Sequence, residues 1–305
     1  MNTDYYAFGE TLWDCLPPGR HAGGAPFNVA AHLAQLEASA SLISAVGQDA
    51  LGDEIVQIAQ DKGIDTRFVQ RARAGLATGT VQVTLDAQGN AAYEIVAPVA
   101  WDEIAVTPEA EQAVAQSRAL VFGSLAMRLP HNQAQLGRLL EITGPIKFFD
   151  VNLRALFGDP ARVLSLAKRA DVVKLNDDEL GLLAGWIETG DAAQPTPQSL
   201  EALADACGVL ARATETARIC VTRGAQGAVL WDRGVLVSAS APPVEVRDTV
   251  GAGDAFMAGL MLGMTRGGNA QSVLENACRL GAFVASQSGA TPTLPPDIVK
   301  QFARG

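Results

Sequence analysis

Repeatedly along this chain, a short apolar run of strand length gives way to a longer run with helical spacing. "SLISAV" precedes "ALGDEIVQIAQDKG", "RALVFGS" precedes "PHNQAQLGRLLEITG", "IKFFDV" precedes "PARVLSLAKRA", and "DVVKL" precedes "DDELGLLAG". "RICVT" continues the series behind a helical stretch that begins at Ser199. Parallel strands need crossover connections, and helices are the usual ones. The alternation therefore predicts an α/β fold in three layers, α/β/α, with a mostly parallel central sheet covered by helices on both faces.

One region breaks the rhythm. Residues 78 to 96, "TGTVQVTLDAQGNAAYEIV", read as a hairpin with Val81, Val83 and Leu85 on one face, Thr80, Gln82 and Thr84 on the other, and "DAQGN" as the turn. Two placements are open: an edge hairpin of the main sheet, or a small accessory sheet joined by strand-like residues around Leu12 to Leu16. The second is the expected one, because such a pair fits poorly into a parallel sheet. The chain is then a single domain over residues 1–305, with a small β-sheet lid formed by about 10–20 and 77–98. "TGDAAQPTPQ" (189 to 198) reads as a surface loop.

At 305 residues and 48% hydrophobic content the chain can fill one large core. Its 33 acidic and 23 basic residues give a formal charge of -10, and the basic residues do not cluster, so no nucleic-acid or membrane partner is expected. Cys15, Cys207, Cys220 and Cys278 form no CxxC pair, and His21, His32 and His131 have no metal-ligand spacing. Together with an N-terminus that lacks a basic leader and an apolar signal core, this predicts a soluble, cytoplasmic protein without structural zinc.

"DTVGAGD" (248 to 254) opens a run of small and apolar residues, "AFMAGLMLGM". A Gly251-Ala252-Gly253 turn feeding a helix offers backbone N–H groups and the positive dipole end to an anion, with the Asp254 carboxylate one step away as a proton acceptor. The competing reading makes Asp254 a favourable first-turn acid and the glycines a means of close helix packing. "GGAPFNVAAHLAQL" (23 to 36) is a second glycine-rich helix start, in which Asn28 offers both a donor and an acceptor to a sugar. "KLNDDEL" puts Asn176 and Glu179 three apart, either on one face for water-mediated Mg²⁺ binding or as an N-terminal cap. "VTRGAQGAVL" reads as strand, turn and strand, offering Thr222 and backbone N–H groups to phosphates or forming an ordinary hairpin. No GxxxxGK[ST] is present, and the first strand does not lead into GxGxxG, which argues against a P-loop enzyme and a dinucleotide oxidoreductase.

In this order, "GGAPFNVA", "FDVNLR", "KLNDDE", "VTRGAQG" and "DTVGAGDAF" resemble the PfkB (ribokinase-like) carbohydrate kinase family over nearly the whole chain, most of all its fructokinase branch. The resemblance implies a ribokinase-like fold and ATP-dependent phosphorylation of a primary hydroxyl of a small sugar, with fructose to fructose 6-phosphate as the leading reaction. Asp254 would be the base and Gly251, Ala252 and Gly253 the anion hole. Asp14, Gly24, Asn28 and Arg154 would bind sugar, Arg154 through the "DVNLR" motif that also contains Asp150 and Asn152. Asn176 and Glu179 would organise Mg²⁺ and phosphates, and Thr222, Gly224 and Gly227 would reach the ATP phosphates. Cys278 falls by the adenine, where many members carry asparagine. Asp248 and the Val250 carbonyl match the start of a K⁺ site found in some members. The family also suggests a homodimer through the lid. The lid of this chain, "AYEIVAPVAWDEI", lacks an arginine that fructokinases often carry there. A sugar-acid kinase, a nucleoside kinase and a nonenzymatic sugar sensor on the same fold are the alternatives.

Overall fold

The chain begins with β1 (Tyr5–Phe8), whose sequence Tyr-Tyr-Ala-Phe is apolar at every position and buried along its whole length. This computed structural model describes residues 3–16, 19–85, 91–154, 158–190 and 195–303. After β1 come β2 (Leu12–Leu16), β3 (Gly19–Gly23), α1 (Ala25–Gln35), β4 (Ala40–Val46), α2 (Ala50–Asp61) and β5 (Val69–Arg71). The middle of the chain adds β6 (Gly79–Leu85), β7 (Ala91–Ile95), α3 (Pro108–Ala115), β8 (Ala119–Gly123), α4 (Pro130–Leu140), β9 (Ile146–Asp150) and α5 (Pro160–Lys168). There follow β10 (Val172–Asn176), α6 (Asp177–Thr189), α7 (Leu200–Thr214), β11 (Arg218–Thr222), β12 (Ala228–Asp232) and β13 (Val235–Ala239). Three helices end the chain: α8 (Ala252–Thr265), α9 (Ala270–Ala285) and α10 (Pro296–Ala303).

Among the described residues the main sheet has nine strands, in the order β13-β12-β11-β10-β9-β8-β1-β4-β5. Pairs from β11 to β5 are parallel, and β11–β12 and β12–β13 are antiparallel. The strands are apolar on both pleat faces because both faces are covered. Tyr5, Ala7, Leu42, Val121 and Phe148 pack with α1, α8 and α9. The alternate residues Tyr6, Phe8, Ile43, Phe122 and Phe149 pack on the opposite side with α3 to α7, where the Phe122 and Phe149 rings stack 5.2 Å apart. Each aromatic buried in this way stabilises the fold by roughly 1.5–3 kcal/mol.

The α8 helix is apolar around most of its circumference because it lies between the sheet, α1 and α9. Gly259 allows that approach, since a Cβ there would stand 3.1 Å from Ala277 Cα on α9. Close helix packing is thus the work of a glycine two turns into α8.

The second sheet has the order β3-β2-β6-β7, with β2 and β6 parallel and the other pairs antiparallel. The hairpin therefore belongs to a separate sheet and not to the edge of the main one. Its strands fall in the two expected segments, except that β3 carries the first segment on to Gly23. Gly-Arg-His-Ala-Gly has no apolar alternation, and it is a strand because β2 pairs with it. Val81 is buried and Thr80 half-buried, as the expected facing requires; the side chains of residues 82–85 and the turn at 86–90 lie outside the described residues. In the 189–198 segment, Thr189 ends α6, Gly190 caps it with left-handed φ, and 195–198 have no regular structure; 191–194 lie outside the described residues. Among the described residues no helix is long and apolar enough to cross a membrane.

Topology places a crevice at one end. β1 has β4 on one side and β8 on the other, so the connections that follow these strands leave in opposite directions and open a gap beyond their C-terminal ends.

Candidate active site

A cavity of about 510 Å³ occupies that gap, between the C-terminal ends of β1, β9 and β10 and the small sheet. Leu12, Asp14, Val81 and Ile95 reach it from the small sheet, and Glu10 from the end of β1. Gly24, Ala25 and Asn28 come from the start of α1, Asn152 and Arg154 from beyond β9, and Lys174 from β10. Leu125 and the segment at the start of α8 (Thr249, Val250, Gly251, Gly253 and Asp254) complete the lining.

Two glycines open the α1 side. Gly24, the N-cap of α1, has φ 106, and a Cβ on it would lie 2.5 Å from the Glu10 carbonyl oxygen. A Cβ on Gly23 would lie 2.8 Å from Asp14 Oδ2. With that space clear, Asn28 in the first turn of α1 donates through Nδ2 to Asp254 Oδ2 at 2.8 Å. This bond fixes the amide orientation and, among the described residues, leaves Asn28 Oδ1 buried without a partner.

The turn before α8 is held rigidly. Gly251 has φ 77, a left-handed conformation, and a Cβ there would collide with the Ala290 backbone. Asp248 accepts from Val250 N–H and from Gly289 N–H, both at 3.0 Å. His32 Nε2 lies 3.0 Å from the Ala290 carbonyl oxygen; burial pushes the imidazole down to about 4, so the neutral ring donates through Nε2–H. The Ala252 N–H points back to the Thr249 carbonyl at 3.3 Å. Among the described residues no acceptor takes the N–H groups of Gly251 and Gly253, which line the cavity. They present the positive end of α8 to it.

Asp254 is 8% exposed. Burial and then the negative charge of Asp150 push its carboxyl up to about 6, against the opposing effects of the Asn28 hydrogen bond, Lys174 and Arg154. Lys174 Nζ lies 3.0 Å from each oxygen of Asp150, and a Cβ on Gly253 would be 3.1 Å from that ammonium. Burial opposes the lysine charge, but Asp150, Glu179 and Asp254 together outweigh it and hold its pKa above the ordinary value. Asp14 is raised by burial, against the pull of Arg154 and His21. The charge of Arg154 also reaches Glu10 and Asp150.

The structure thus brings Asp14, Gly24, Asn28, Arg154, Val250, Gly251, Gly253 and Asp254 to one cavity. Ala252 shares their turn without lining it. Asn152 lines it as well, and the other expected residues do not. Asn176 and Glu179 form a reciprocal capping box rather than two neighbours on a helical face: Asn176 ends β10 and accepts from Glu179 N–H at 2.8 Å, and Glu179 Oε2 accepts from Asn176 N–H at 2.9 Å. The other oxygen of Glu179 accepts from Leu153 N–H at 2.7 Å, which fixes the backbone between Asn152 and Arg154. Thr222 ends β11 in register with Asn176, and Gly224 and Gly227 turn the chain into β12, both with left-handed φ. A Cβ on Gly227 would collide with the Ala239 backbone, and the buried Cys278 thiol lies 3.9 Å from the Ala239 carbonyl oxygen. Gly227 and Cys278 both adjoin Ala239 at the end of β13, and neither lines the cavity. Among the described residues no group of three or more His, Cys, Asp or Glu side chains is arranged to hold a metal.

Sequence reasoning passed over Glu10 and Lys174. Lys174 left a signal, a lysine inside the apolar run Val-Val-Lys-Leu of a buried strand, which requires a buried partner.

A pfkB family carbohydrate kinase profile matches residues 3–297. The chain belongs to this family. It is 28% identical over 314 residues to the fructokinase of Escherichia coli, covering 97% of each protein. It is also 29% identical over 316 residues to the aminoimidazole riboside kinase of Salmonella typhimurium, covering 97% of this chain and 94% of the relative. A fructokinase with bound ATP from Xylella fastidiosa superposes with a TM-score of 0.83 at 24% identity, over 100% of this chain and 99% of that one. An Arabidopsis thaliana ribokinase complexed with ribose and ATP gives 0.80 at 21% identity, over 100% of both. The fold is ribokinase-like, and the protein is a pfkB family carbohydrate kinase.

Proposed function

We propose that this kinase transfers the γ-phosphoryl group of ATP to a primary hydroxyl of a neutral sugar, with fructose as the leading substrate and fructose 6-phosphate as product. The observation that carries the reading is Asp254: a buried carboxylate on the cavity wall, with one oxygen held by Asn28 and the N-terminal turn of α8 beside it. Oδ1 takes the proton of the sugar hydroxyl as that oxygen bonds to the γ-phosphorus and the bond to the β–γ bridging oxygen breaks. The N–H groups of Gly251 and Gly253, with the helix dipole, face the charge on the transferring oxygens. A pKa of about 6 leaves Asp254 ionised at neutral pH yet basic enough to accept a proton.

The lining favours a polyol. Asp14, Glu10 and Asn28 Oδ1 present acceptors, which hydroxyl groups can satisfy by donating. Asp14 and Asp254, joined by Glu10 where it is ionised, outnumber Arg154, since Lys174 is neutralised by Asp150, and this balance disfavours a sugar acid. The small sheet acts as a lid, with Leu12, Val81 and Ile95 as its apolar underside, and its outer strands β3 and β7 are where a second copy would join.

ATP would bind on the rim beyond the exposed Val250, where Thr222, Gly224 and Gly227 would hold its phosphates and Cys278 would lie by its base. Asn176 and Glu179 would hold Mg²⁺ through water, since both Glu179 oxygens already accept from backbone amides, and the ion would supply charge neutralisation at the phosphates. Each oxygen of Asp248 keeps a second lone pair, so a K⁺ ion can sit beside it and the Val250 carbonyl; activity in potassium against choline chloride tests this. The four free thiols suit a reducing, cytoplasmic setting.

A coupled ADP assay over fructose, ribose, adenosine, aminoimidazole riboside and 2-keto-3-deoxygluconate tests the substrate. Fructose should lead in kcat/KM. A tenfold lead for a riboside or for the keto acid would overturn the fructose reading and leave the fold untouched.

A further inference from the structure

Glu10 lies just beyond β1, where a carboxylate is not needed to end a strand. It is 3% exposed and lines the cavity. Its Oε1 accepts from Ala25 N–H at 3.3 Å, which serves the start of α1. That contact uses one oxygen. Among the described residues Oε2 is buried with no hydrogen-bond partner. A buried acceptor stripped of water and left bare is destabilising, and native proteins keep such an atom where something else completes it. Asn28 Oδ1, in the same cavity, is bare in the same way. Two orphaned acceptors on one wall match a ligand that donates from at least two positions.

The geometry points to Glu10 as a specificity-determining residue whose Oε2 accepts a hydrogen bond from one hydroxyl of the sugar, a hydroxyl other than the one phosphorylated. The inference rests on the neutral-sugar reading above. Glu10 then discriminates by donor capacity. The ionised carboxylate is satisfied by a hydroxyl, whereas a carbonyl, carboxylate or phosphate oxygen has no proton to offer it. Burial, with the charge of Asp254 adding to it, pushes the Glu10 carboxyl up to about 7 against hydrogen bonds from the Glu10 and Ala25 N–H groups and the charge of Arg154, so a hydroxyl donating to Oε2 favours the ionised form.

A deoxyfluoro series separates this role from a helix cap. Fluorine replaces each non-reacting hydroxyl in turn, keeping approximate size and acceptor character while removing the donor. With the wild-type enzyme one position should lose about 10- to 100-fold in kcat/KM beyond the others, the range of a hydrogen bond to a charged group. Glu10→Gln keeps an oxygen for Ala25 N–H and turns an amide N–H toward the cavity. In that variant the penalty at the same position should shrink below about threefold, with the KM for ATP unchanged. Equal penalties at every position in both enzymes, with a lowered melting temperature in the variant, would show that Glu10 only caps α1 and would overturn the assignment. Should Glu10→Gln fail to fold, Glu10→Asp keeps the charge but withdraws it by one methylene, and the same position should again stand out by its reduced penalty. If the wild-type enzyme prefers a riboside, the neutral-hexose reading fails by itself, and the same comparison on fluorinated ribosides still decides the role of Glu10.

Discussion

Replacing Asp254 by Asn tests the proposed chemistry and the electrostatics of the site in one variant. The side chain keeps its size, and its oxygen can still accept from Asn28 Nδ2, so the cavity should keep its shape. Loss of the base should lower kcat by about 10² to 10⁴. Stability should change in the opposite direction. A carboxyl raised from 3.8 to about 6 by burial is held ionised at neutral pH at a cost of about 3 kcal/mol, which an amide does not carry. Because the folded pKa lies above the unfolded one, the wild type is most stable on this account below about pH 4. It loses that stability as pH rises through 6. The variant should therefore melt about 5 °C higher than wild type at pH 8, with the gap closing toward pH 4. Calorimetric melting of the ligand-free proteins across that range, run beside coupled kinetics, reads both effects, and an ATP titration should show that nucleotide affinity survives. A variant that keeps more than about a tenth of wild-type kcat, with phosphoryl transfer rate-limiting, would refute the base. A variant that melts lower than wild type at pH 8 would refute the electrostatic argument.

Lys174→Met leaves the buried Asp150 carboxylate unpaired and should destabilise by about 3–5 kcal/mol, with Asp150→Asn in the same chain restoring much of the loss; thermal melts of the single and double variants check this. Gly251→Ala meets both a left-handed φ and the Ala290 backbone, so the melting temperature should fall by several degrees and kcat with it; an unchanged melt would show that the loop at 290 gives way freely. Val81→Ala trims the apolar underside of the small sheet and should raise the sugar KM severalfold while leaving the ATP KM alone, and equal shifts in both constants would argue against its closing on the sugar.

The alternating fold was legible because a parallel sheet buried on both faces imposes its own pattern: Tyr5 and Tyr6, or Phe148 and Phe149, are neighbours in sequence yet belong to opposite cores. Strand β3 was not legible, because Gly-Arg-His-Ala-Gly carries no apolar period and owes its conformation to its neighbour β2. Within the site, Gly24, Asn28, Gly251 and Asp254 could be read from their own short segments, since the glycine turns and helix starts that place them are local. The capping box of Asn176 and Glu179 was one of two readings the spacing allowed, and only the fold shows Glu179 reaching across to Leu153. Glu10 gave no sign at all. A lone glutamate in Phe-Gly-Glu-Thr-Leu looks like a solvated turn residue, yet the fold buries it with the start of α1 against its carboxyl.

The pairing of β2 with β6 also bears on how the molecule assembles. Parallel strands cannot zip up from a tight turn, and the chain between Leu16 and Gly79 must first be closed into a loop. The neighbours that deliver the two strands are β1, which runs into β2, and β5, which precedes β6; both lie in the main sheet on either side of β4. The small sheet therefore condenses late, on a β1-β4-β5 platform already in place, as expected for contacts of long sequence separation. It should also be the first part to open in the native state. Backbone amides of β2 and β6 should exchange with solvent through partial opening, while those of β1 and β8 wait for the whole domain to unfold.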